Sequence, residues 1–303
     1  MNKSVGCILI THNAAHHLPY CLGPLLSSPL KPRILVMNSS SEDGTVELAQ
    51  QMGVETCVVP RKSFNHGTTR EMARKRLGTD IVVMMTPDAY MSDAHTLEKL
   101  VEPLMHDRAS VSYARQIPHP GASFFEAFPR AFNYPNESHI RGIQDATRYG
   151  VYTFFCSNSC AAYLNNALDC IGGFERLLLG EDTVAVSKLL RQGHKIAYVS
   201  QALVHHSHRY TLLEEFRRSF DTGLARKGYE HLLECPSTDT RRGMHYAKTM
   251  IRELIAKSPV EIPYASLHLF SKWSGYRLGR LSLKAPVWFK RFFSSQDFFW
   301  QGQ

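Results

Sequence analysis

The chain has 303 residues, of which 44% are hydrophobic and 20% charged, a composition ordinary for a soluble globular protein with one large domain or one domain and an appendage. Its formal net charge of +8 is concentrated towards the end, because residues 209–303 carry 16 Lys and Arg against nine Asp and Glu, whereas residues 1–208 carry 19 against 18. The seven cysteines are an odd number without Cys-x-x-Cys spacing, which argues against a disulfide framework or a zinc site.

The first part of the chain alternates apolar runs with polar turns. The apolar runs predict buried strands at residues 5–10, 33–37, 55–59 and 81–85. Helices are predicted between them, the first ending near Leu26 and the others at residues 46–52 and 68–77. This alternation predicts a parallel sheet wound with helices. No Gly-x-Gly-x-x-Gly or Gly-x-x-x-x-Gly-Lys-Ser/Thr follows the first strand, which argues against a dinucleotide-binding domain and excludes a P-loop.

The second part of the chain is less regular. A helix is predicted at residues 94–105 and a strand at 110–115, after which residues 116–149 are rich in Pro, aromatic residues and Arg with little periodicity. A segment of this length inside a compact domain is usually functional, such as a lid or a binding insert. Further elements are predicted as strands at 151–155, 195–199 and 202–206, a helix at 183–192, and a helical region from Leu212 onward.

Asp88 lies where a ligand is expected in such a sheet. It follows the fourth predicted strand in the sequence Thr86-Pro87-Asp88. Open α/β sheets bind their ligands beyond the carboxyl ends of the strands. The alternative is a loop carboxylate or a cap for the following helix, and these residues alone leave both interpretations open.

A set of short motifs carries a resemblance to one enzyme family. The motifs occur in order at residues 38–45, 64–67 (Phe-Asn-His-Gly), 86–89 (Thr-Pro-Asp-Ala), 115–116 (Arg-Gln), 154–159 (Phe-Phe-Cys-Ser-Asn-Ser), 180–182 (Gly-Glu-Asp), 206–208 (His-Ser-His) and, more weakly, 275–280. The ordered set resembles the inverting glycosyltransferases of family 2, most closely their bacterial rhamnosyltransferase-like branch. The resemblance implies an α/β fold of the GT-A type, with a Rossmann-like, mostly parallel sheet flanked by helices at residues 1–210 and a C-terminal helical extension at residues 211–303.

The implied reaction is the transfer of a sugar from a nucleotide diphosphate donor, dTDP-L-rhamnose or a similar one, to a hydroxyl of a glycan or lipid-linked acceptor in surface polysaccharide synthesis. The resemblance assigns nucleotide contacts to Thr11, Asn13, Asn38, Ser40, Asn65, Arg70 and Asp88. Asn38 departs from the family, which usually has Asp at this position, and its amide can both donate and accept hydrogen bonds. Arg70 is expected to reach the diphosphate, and the alternative for it is a solvated helix face.

The resemblance also implies a divalent cation, Mn²⁺ or Mg²⁺, that neutralises the charge of the diphosphate leaving group. Family members often hold it with Asp-x-Asp, whereas here only Asp88 remains and other ligands are required. His206 and His208 are two residues apart and would face the same way on an extended segment. Imidazole together with carboxylate suits Mn²⁺ better than Mg²⁺. The alternative is that one of the histidines is a structural or surface residue.

Inversion requires one base that takes the proton of the acceptor hydroxyl. The resemblance assigns this role to Asp182, with Glu181 orienting the acceptor. It assigns acceptor contacts to Arg115, Ser157 and Asn158. The alternative for Glu181 and Asp182 is the start of a helix, where acidic residues interact favourably with the helix dipole.

Two other functions are compatible with parts of this pattern. A sugar nucleotidyltransferase would need a Gly-rich, Arg-containing loop after the first strand, and Thr11-His12-Asn13-Ala14 does not supply one. A catalytically inactive GT-A-like protein that binds a carbohydrate or a partner would explain the missing acidic residue and Asn38. Nucleic acid is not expected as a partner, because no recognised motif accompanies the basic C-terminal part.

The C-terminal tail predicts a membrane surface as a partner. The apolar run at residues 5–10 is too short for a signal-peptide core or a transmembrane helix, which predicts the cytoplasm. Residues 264–303 contain 11 aromatic residues and six Lys and Arg against one acid, and Pro286 divides them into pieces too short to span a bilayer. This composition suits peripheral binding to the inner face of the cell membrane. The alternative is packing on the sheet domain or against a second copy in a homo-oligomer.

Overall fold

The computed structural model describes residues 3–235 and 239–301. They form two compact units. The first comprises the residues up to Gln144 with Thr153–Arg176 and Glu181–Ser207, and the second comprises Asp145–Tyr152, Leu177–Gly180 and the residues from His208 onward. The division between the units thus falls three residues before the expected end of the sheet domain at residue 210. Two short segments inside the expected sheet domain also belong to the second unit.

The first unit is built on one mixed sheet. The strands of the described residues are β1 (Val5–Thr11), β2 (Arg33–Asn38), β3 (Glu55–Val58), β4 (Ile81–Met85), β5 (Tyr90–Met91), β6 (Val111–Ile117), β7 (His139–Arg141), β8 (Cys160–Leu164) and β9 (Ile196–His205). Their order is β3-β2-β1-β4-β8-β6-β9-β5, with β7 paired to β9. The pairs among β3, β2, β1 and β4 are parallel, as is β6 with β9, whereas β8 runs antiparallel to both of its neighbours.

Helices account for most of the remaining described residues. They are α1 (Leu18–Leu26), α2 (Thr45–Gln51), α3 (His66–Leu77), α4 (Thr96–Met105), α5 (Phe124–Asn133), α6 (Ala146–Tyr149), α7 (Asn165–Cys170), α8 (Glu181–Arg191), α9 (Leu212–Gly228), α10 (Asp239–Lys257), α11 (Ile262–Leu281), α12 (Val287–Phe293) and α13 (Asp297–Trp300). Helices α6 and α9 to α13 belong to the second unit. The predicted helical character of the chain after Leu212 is confirmed.

Continuous apolar runs place β1 and β4 in the middle of the sheet. Every residue of both strands is buried, as expected where helices cover both faces of a parallel sheet. Each fully buried Val, Leu, Ile or Met side chain contributes about 1.5–3 kcal/mol relative to an exposed one. The parallel register sets Thr11 beside Asn38 at the carboxyl ends of β1 and β2. Asp88 follows the end of β4 at the same edge. The four predicted strands are therefore confirmed.

The strand predicted at residues 151–155 is wrong. A 3₁₀ helix occupies Gly150–Phe154, and the carbonyls of Thr153 and Phe155 accept hydrogen bonds from the guanidinium of Arg141 rather than from a neighbouring strand. The strand that enters the sheet here is β8, which lies between β4 and β6. Its sequence, Cys-Ala-Ala-Tyr-Leu, lacks the β-branched residues that mark a strand.

Two other irregular stretches are more ordered than their sequence indicates. The two short strands predicted at residues 195–199 and 202–206 are one strand, β9, and the register of its pairing with β6 shifts between Ala114 and Arg115. The segment at residues 116–149 contains helix α5, which begins at a capping box formed by Ser123 and Glu126. The same segment contributes β7 to the sheet.

Glycines let two helices of the second unit pack at close range. A Cβ atom added at Gly275 of α11 would lie 2.3 Å from the carbonyl oxygen of Phe216, and one at Gly279 would lie 2.0 Å from that of Phe220. Both carbonyls belong to α9. No side chain fits at these distances, so glycine is required by the contact itself and not by backbone conformation.

A buried carboxylate joins the same pair of helices. Glu215 of α9 accepts hydrogen bonds from His268 at 3.3 Å and from Lys272 at 3.0 Å, both on α11. Burial alone would raise the pKa of Glu215, but these two partners lower it to about 2. The carboxylate is therefore ionised at neutral pH, and α9 and α11 are held together by charge as well as by close packing.

We expect Gly279→Ala to lower the free energy of unfolding by about 1–3 kcal/mol, because the added methyl group must push α11 away from α9. Gly243→Ala in α10 is the matched control, since no atom lies within 4 Å of the added Cβ. Alanine is the better helix former by about 1 kcal/mol, so the control should gain stability. Urea denaturation followed by circular dichroism measures both. Equal gains in the two variants would show that the helices are not this close.

Candidate functional site

Asn38 organises the loop that follows β2. Its side chain is 1% exposed. The amide nitrogen donates to Thr11 Oγ1 at 3.2 Å and to Ser41 Oγ at 2.6 Å, and the amide oxygen accepts from the Ser41 backbone N–H at 2.9 Å. Since these bonds use both donor hydrogens of the amide, the side chain links the ends of β1 and β2.

Asn13 and Ser40 form the more accessible part of the same edge. Both are non-glycine residues with positive φ, 47° and 50°, a conformation that Asn tolerates better than most residues. The Asn13 amide oxygen accepts from the backbone N–H of Glu42 at 3.0 Å. Ser40 Oγ donates to the carbonyl of Val59 at 3.3 Å and accepts from the N–H of Arg61 at 3.2 Å. Side-chain bonds therefore hold the loops after β1, β2 and β3 in one arrangement.

Asn65 and Arg70, two other expected nucleotide contacts, are buried at the start of α3. The Asn65 side chain caps the helix, because its oxygen accepts from the N–H groups of Gly67 and Thr68. Arg70 is 3% exposed. Its guanidinium lies 2.5 Å from a carboxylate oxygen of Glu181, at the start of α8. The structure thus places Arg70 against the acidic pair rather than on a solvated helix face.

Asn158 holds both members of the acidic pair. Its side-chain nitrogen donates to Glu181 at 3.1 Å, and its backbone N–H donates to Asp182 at 3.2 Å. The Tyr163 hydroxyl donates to the Asn158 side-chain oxygen at 2.7 Å, which fixes the orientation of the amide. Tyr163 lies on β8, the strand that the sequence did not reveal, so this supporting residue was missed. Asn158 itself is 3% exposed and serves the two carboxylates directly.

The two carboxylates have opposite pKa shifts. Burial would raise the pKa of Glu181, but the charge of Arg70 and the hydrogen bond from Asn158 hold it below its ordinary value. Burial, and next the neighbouring charge of Glu181, raise the pKa of Asp182 to about 6, although backbone N–H groups of Thr183 and Asn158 oppose the change. The pair thus contains one carboxylate with a lowered pKa and one whose pKa is raised to about 6, an arrangement typical of acid–base sites.

A second cluster contains the expected metal ligands. Asp88 Oδ2 lies 3.4 Å from Nε2 of the buried His206. His208, the first residue of the second unit, is two residues further along the chain, so the chain itself keeps it near His206. The donor set, one carboxylate and two imidazoles, is chemically suited to a divalent transition metal.

Two of the expected acceptor contacts, Ser157 and Asn158, are adjacent in the chain, and Asn158 holds the acidic pair. Ser157 Oγ accepts from the side-chain nitrogen of Gln116 at 3.0 Å and from the Ser159 N–H at 3.4 Å. Arg115 is half-buried, and its Nε lacks a hydrogen-bond partner among the described residues. Gln116 also contacts His206. Gln116 belongs to the Arg115-Gln116 motif, but no local pattern assigns its side chain to the site.

The fold and this strand-end site define the chain as a GT-A glycosyltransferase, and it belongs to Glycosyl transferase family 2, which it matches over residues 7–172. It is 33% identical to the O-antigen chain rhamnosyltransferase RfbN of Salmonella typhimurium over 300 residues, 98% of this chain and 96% of that protein. It is also 33% identical to the O-antigen chain rhamnosyltransferase WbaN of Salmonella anatum over 270 residues, 88% and 86% of the two chains. The predicted family is therefore confirmed.

Solved structures confirm the predicted fold. A mannosyltransferase of Pyrobaculum calidifontis, in complex with GDP-Man and Mn²⁺, superimposes with a TM-score of 0.59 at 13% identity, covering 100% of this chain and 86% of that one. Residues 1–349 of TarS from S. aureus superimpose with a TM-score of 0.57, also at 13% identity, covering 93% and 91%. At this identity the likeness concerns the GT-A fold alone.

We expect Asp182→Asn to stabilise the folded protein at pH 8. Because the pKa of Asp182 is higher in the folded chain than its ordinary value of 3.8, the folded state loses relative stability as the pH rises from about 4 through about 6. A neutral Asn escapes this loss, which we expect to be roughly 1–2 kcal/mol for a half-buried group. The gain should shrink at pH 5, as measured by urea denaturation.

The control is Asp80→Asn, at an exposed carboxylate whose pKa is lowered by hydrogen bonds from Ser4. This substitution removes a favourable interaction of the ionised group and should give no gain at pH 8. If Asp182→Asn were less stable than the unmodified protein at pH 8, Asp182 would not be a destabilised carboxylate.

Proposed function

We propose that the protein is an inverting rhamnosyltransferase of surface polysaccharide synthesis, such as O-antigen synthesis. It would transfer L-rhamnose from dTDP-L-rhamnose or a closely related donor to a hydroxyl of a glycan or lipid-linked acceptor. The observation that supports this reaction type is the Asp182 carboxylate. It lies beside the ionised Glu181, and the pKa of Asp182 is raised to about 6. The names of the two Salmonella relatives support the sugar.

Asp182 is the general base in this proposal. Its carboxylate takes the proton from the acceptor hydroxyl while the hydroxyl oxygen bonds to the anomeric carbon of the donor sugar. The bond from that carbon to the diphosphate oxygen breaks on the opposite face, and its electron pair leaves with the nucleoside diphosphate. A base with a pKa near 6 is ionised at pH 7 and still basic enough to accept the proton.

Glu181 orients the acceptor and tunes the base. Its carboxylate is ion-paired with Arg70 and bonded to Asn158, so it stays ionised and keeps the pKa of Asp182 raised. The main proposed role of Arg70 is therefore to pair with Glu181. Its buried Nε, which has no hydrogen-bond partner among the described residues, is proposed to face the diphosphate. Arg115, Ser157 and Asn158 are proposed on the acceptor side, with Asn158 acting through the two carboxylates.

The nucleotide is proposed to lie over the ends of β1 and β2. The exposed Asn13 and half-buried Ser40 can offer polar atoms to the nucleoside, whereas Thr11 and Asn38 shape the loops from inside. Asn65 contributes by fixing the start of α3. Asp88, at the end of β4, faces the diphosphate.

Asp88, His206 and His208 are proposed to hold the divalent cation, Mn²⁺ in preference to Mg²⁺. Asp88 and His206 lie 3.4 Å apart in the first unit, and one carboxylate with two imidazoles is a set that Mn²⁺ accepts. When bound, the cation supplies positive charge to the departing diphosphate. The presence of Mn²⁺ in the solved complex of the P. calidifontis mannosyltransferase is consistent with this assignment.

The function is tested by transfer from dTDP-L-rhamnose to synthetic lipid-linked saccharides with Mn²⁺ present. We expect Asp182→Asn to lower kcat roughly 10²–10⁴-fold and to leave the calorimetric affinity for the donor nearly unchanged, because the base acts on the acceptor. The kcat of the unmodified enzyme should rise with pH through about 6. EDTA should abolish transfer and Mn²⁺ should restore it.

The control is Asp107→Asn, an exposed carboxylate paired with Lys3 before β1 and therefore away from the carboxyl ends of the strands, which should keep full activity. Near-normal turnover by Asp182→Asn would remove it from the role of base. If a UDP-hexose is bound and dTDP-L-rhamnose is ignored, the donor is wrong while the family stands. If donors bind but none is consumed, the protein is a catalytically inactive GT-A-like protein that binds a carbohydrate or a partner.

We further propose that the second unit binds the cytoplasmic face of the cell membrane. Among the described residues, none of the helices combines the length and apolar character needed to cross a bilayer. Helix α11 buries Ala265, His268 and its glycines, yet its opposite side exposes Leu267, Phe270, Trp273 and Leu281 by 56–78%. Such a large exposed apolar surface marks an interaction site.

Charge favours anionic lipid as the occupant of this surface. Helix α12 exposes Trp288 by 70% and Phe292 by 67%, and Lys290 and Arg291 lie between them in sequence. The six basic residues after residue 263 face a single acid. Aromatic side chains mixed with Lys and Arg are the composition of segments that lie in the interface of an anionic bilayer.

Flotation of the full chain with vesicles of phosphatidylglycerol and phosphatidylcholine tests this surface. We expect flotation at low salt, a strong decrease at 0.5 M NaCl, and loss in the double variant Phe270→Ser with Trp273→Ser. The matched control is Val58→Ser with Ile140→Ser, two exposed apolar residues of the first unit, which should float normally. Absence of flotation together with a concentration-dependent dimer in light scattering would assign the surface to a second copy of the chain.

A further inference from the structure

Gln116 connects His206, an expected metal ligand, with Ser157, which is adjacent to Asn158 of the acidic pair. It lies near the end of β6 and is 2% exposed. Its side-chain oxygen is 2.9 Å from Nδ1 of His206, and its side-chain nitrogen donates to Ser157 Oγ at 3.0 Å. Both ends of this buried amide are thus engaged, with the nitrogen on Ser157 and the oxygen on His206.

This orientation specifies the protonation of His206. An amide oxygen can only accept, so Nδ1 of His206 must carry a hydrogen, and Nε2 of the neutral ring then presents a lone pair. That Nε2 is the atom 3.4 Å from Asp88 Oδ2. A lone pair facing a carboxylate is unfavourable by itself, whereas a cation between the two atoms would bind both.

The backbone fixes the distance between Gln116 and His206. In the parallel pairing of β6 with β9, Gln116 is in register with Val204, and His206 is two residues further along on the same face. The backbone N–H of His206 donates to the carbonyl of Ile117 at 2.8 Å. The contact between the side chains is therefore set by the sheet and not by a flexible loop.

Ser157 Oγ accepts hydrogen bonds from the Ser159 N–H at 3.4 Å and from the Gln116 side-chain nitrogen at 3.0 Å. With its nitrogen on Ser157, the amide of Gln116 turns its oxygen towards His206. The reversed amide would turn its nitrogen towards Nδ1 of His206 and force the hydrogen onto Nε2. The ring would then simply donate a hydrogen bond to Asp88 and could not bind a cation there.

We propose that Gln116 is a positioning residue that holds His206 in the Nδ1–H tautomer, so that Nε2 is available to bind a divalent cation together with Asp88. The inference rests on the metal site of the proposed function. It adds a residue that does not contact the cation and explains how a histidine becomes its ligand. Outer partners of this kind typically change metal affinity 10–100-fold when they are removed.

The test is calorimetric titration of the full chain with Mn²⁺, without nucleotide. We expect Gln116→Leu to weaken binding about 10–100-fold and Gln116→Glu to retain it, because a carboxylate also accepts the Nδ1 hydrogen. His206→Ala should abolish binding at this site. The control is Ser112→Ala, which removes another buried hydrogen bond of β6, donated to the carbonyl of Leu100, and should leave Mn²⁺ affinity unchanged.

Two results separate this inference from the metal site itself. Loss of binding in His206→Ala with unchanged affinity in Gln116→Leu would overturn the role of Gln116 and keep the site. Absence of Mn²⁺ binding by the unmodified protein would overturn both. Nitrogen NMR of the metal-free protein, with His206 assigned by its alanine variant, gives an independent readout. We expect hydrogen on Nδ1, and hydrogen on Nε2 would contradict the proposal even if affinity falls.

Discussion

The arrangement of the acidic pair depends on the buried ion pair between Arg70 of α3 and Glu181 at the start of α8. Both side chains are nearly inaccessible, at 3% and 9% exposure. Removing two charges from water costs several kcal/mol for each ion, so such a pair persists only when further hydrogen bonds satisfy it. Asn158 supplies one of these bonds. The consequence is a negative charge held next to Asp182, which together with burial raises the pKa of that carboxyl to about 6 and suits it to the proposed role of base.

The short segment Ser157-Asn158 serves both halves of the site. Ser157 accepts a hydrogen bond from Gln116, whose amide oxygen contacts His206. Asn158 donates to Glu181 and to Asp182. In the proposed reaction, the first set acts on the leaving diphosphate and the second on the acceptor hydroxyl. Two adjacent residues thereby fix the relative position of the groups that must act on opposite faces of one sugar carbon.

The features that the sequence predicts correctly are those that leave a local pattern in the chain. Continuous apolar runs reveal β1 and β4 because burial on both faces excludes polar residues, and Asp88 follows from its place after β4. The strand β8 was not predicted, because its small residues suit close packing between β4 and β6. That packing leaves no pattern in the local sequence. The same limit applies to Arg70, whose partner Glu181 is 111 residues away. Side-chain pairing over such distances is a product of the sheet order and is invisible in composition or spacing.

The replacement of a second acid by imidazole has an electrostatic consequence. In the proposed site, Asp88 brings one negative charge, whereas His206 and His208 bring none when they act as neutral ligands. A divalent cation therefore keeps a net charge of about +1 within its protein ligands, compared with zero in a site with two carboxylates. That residual charge is directed at the diphosphate, where negative charge develops as the sugar leaves. Arg70, which is ion-paired with Glu181, is then less necessary for neutralising the leaving group. Its burial beside the acidic pair is consistent with this assignment.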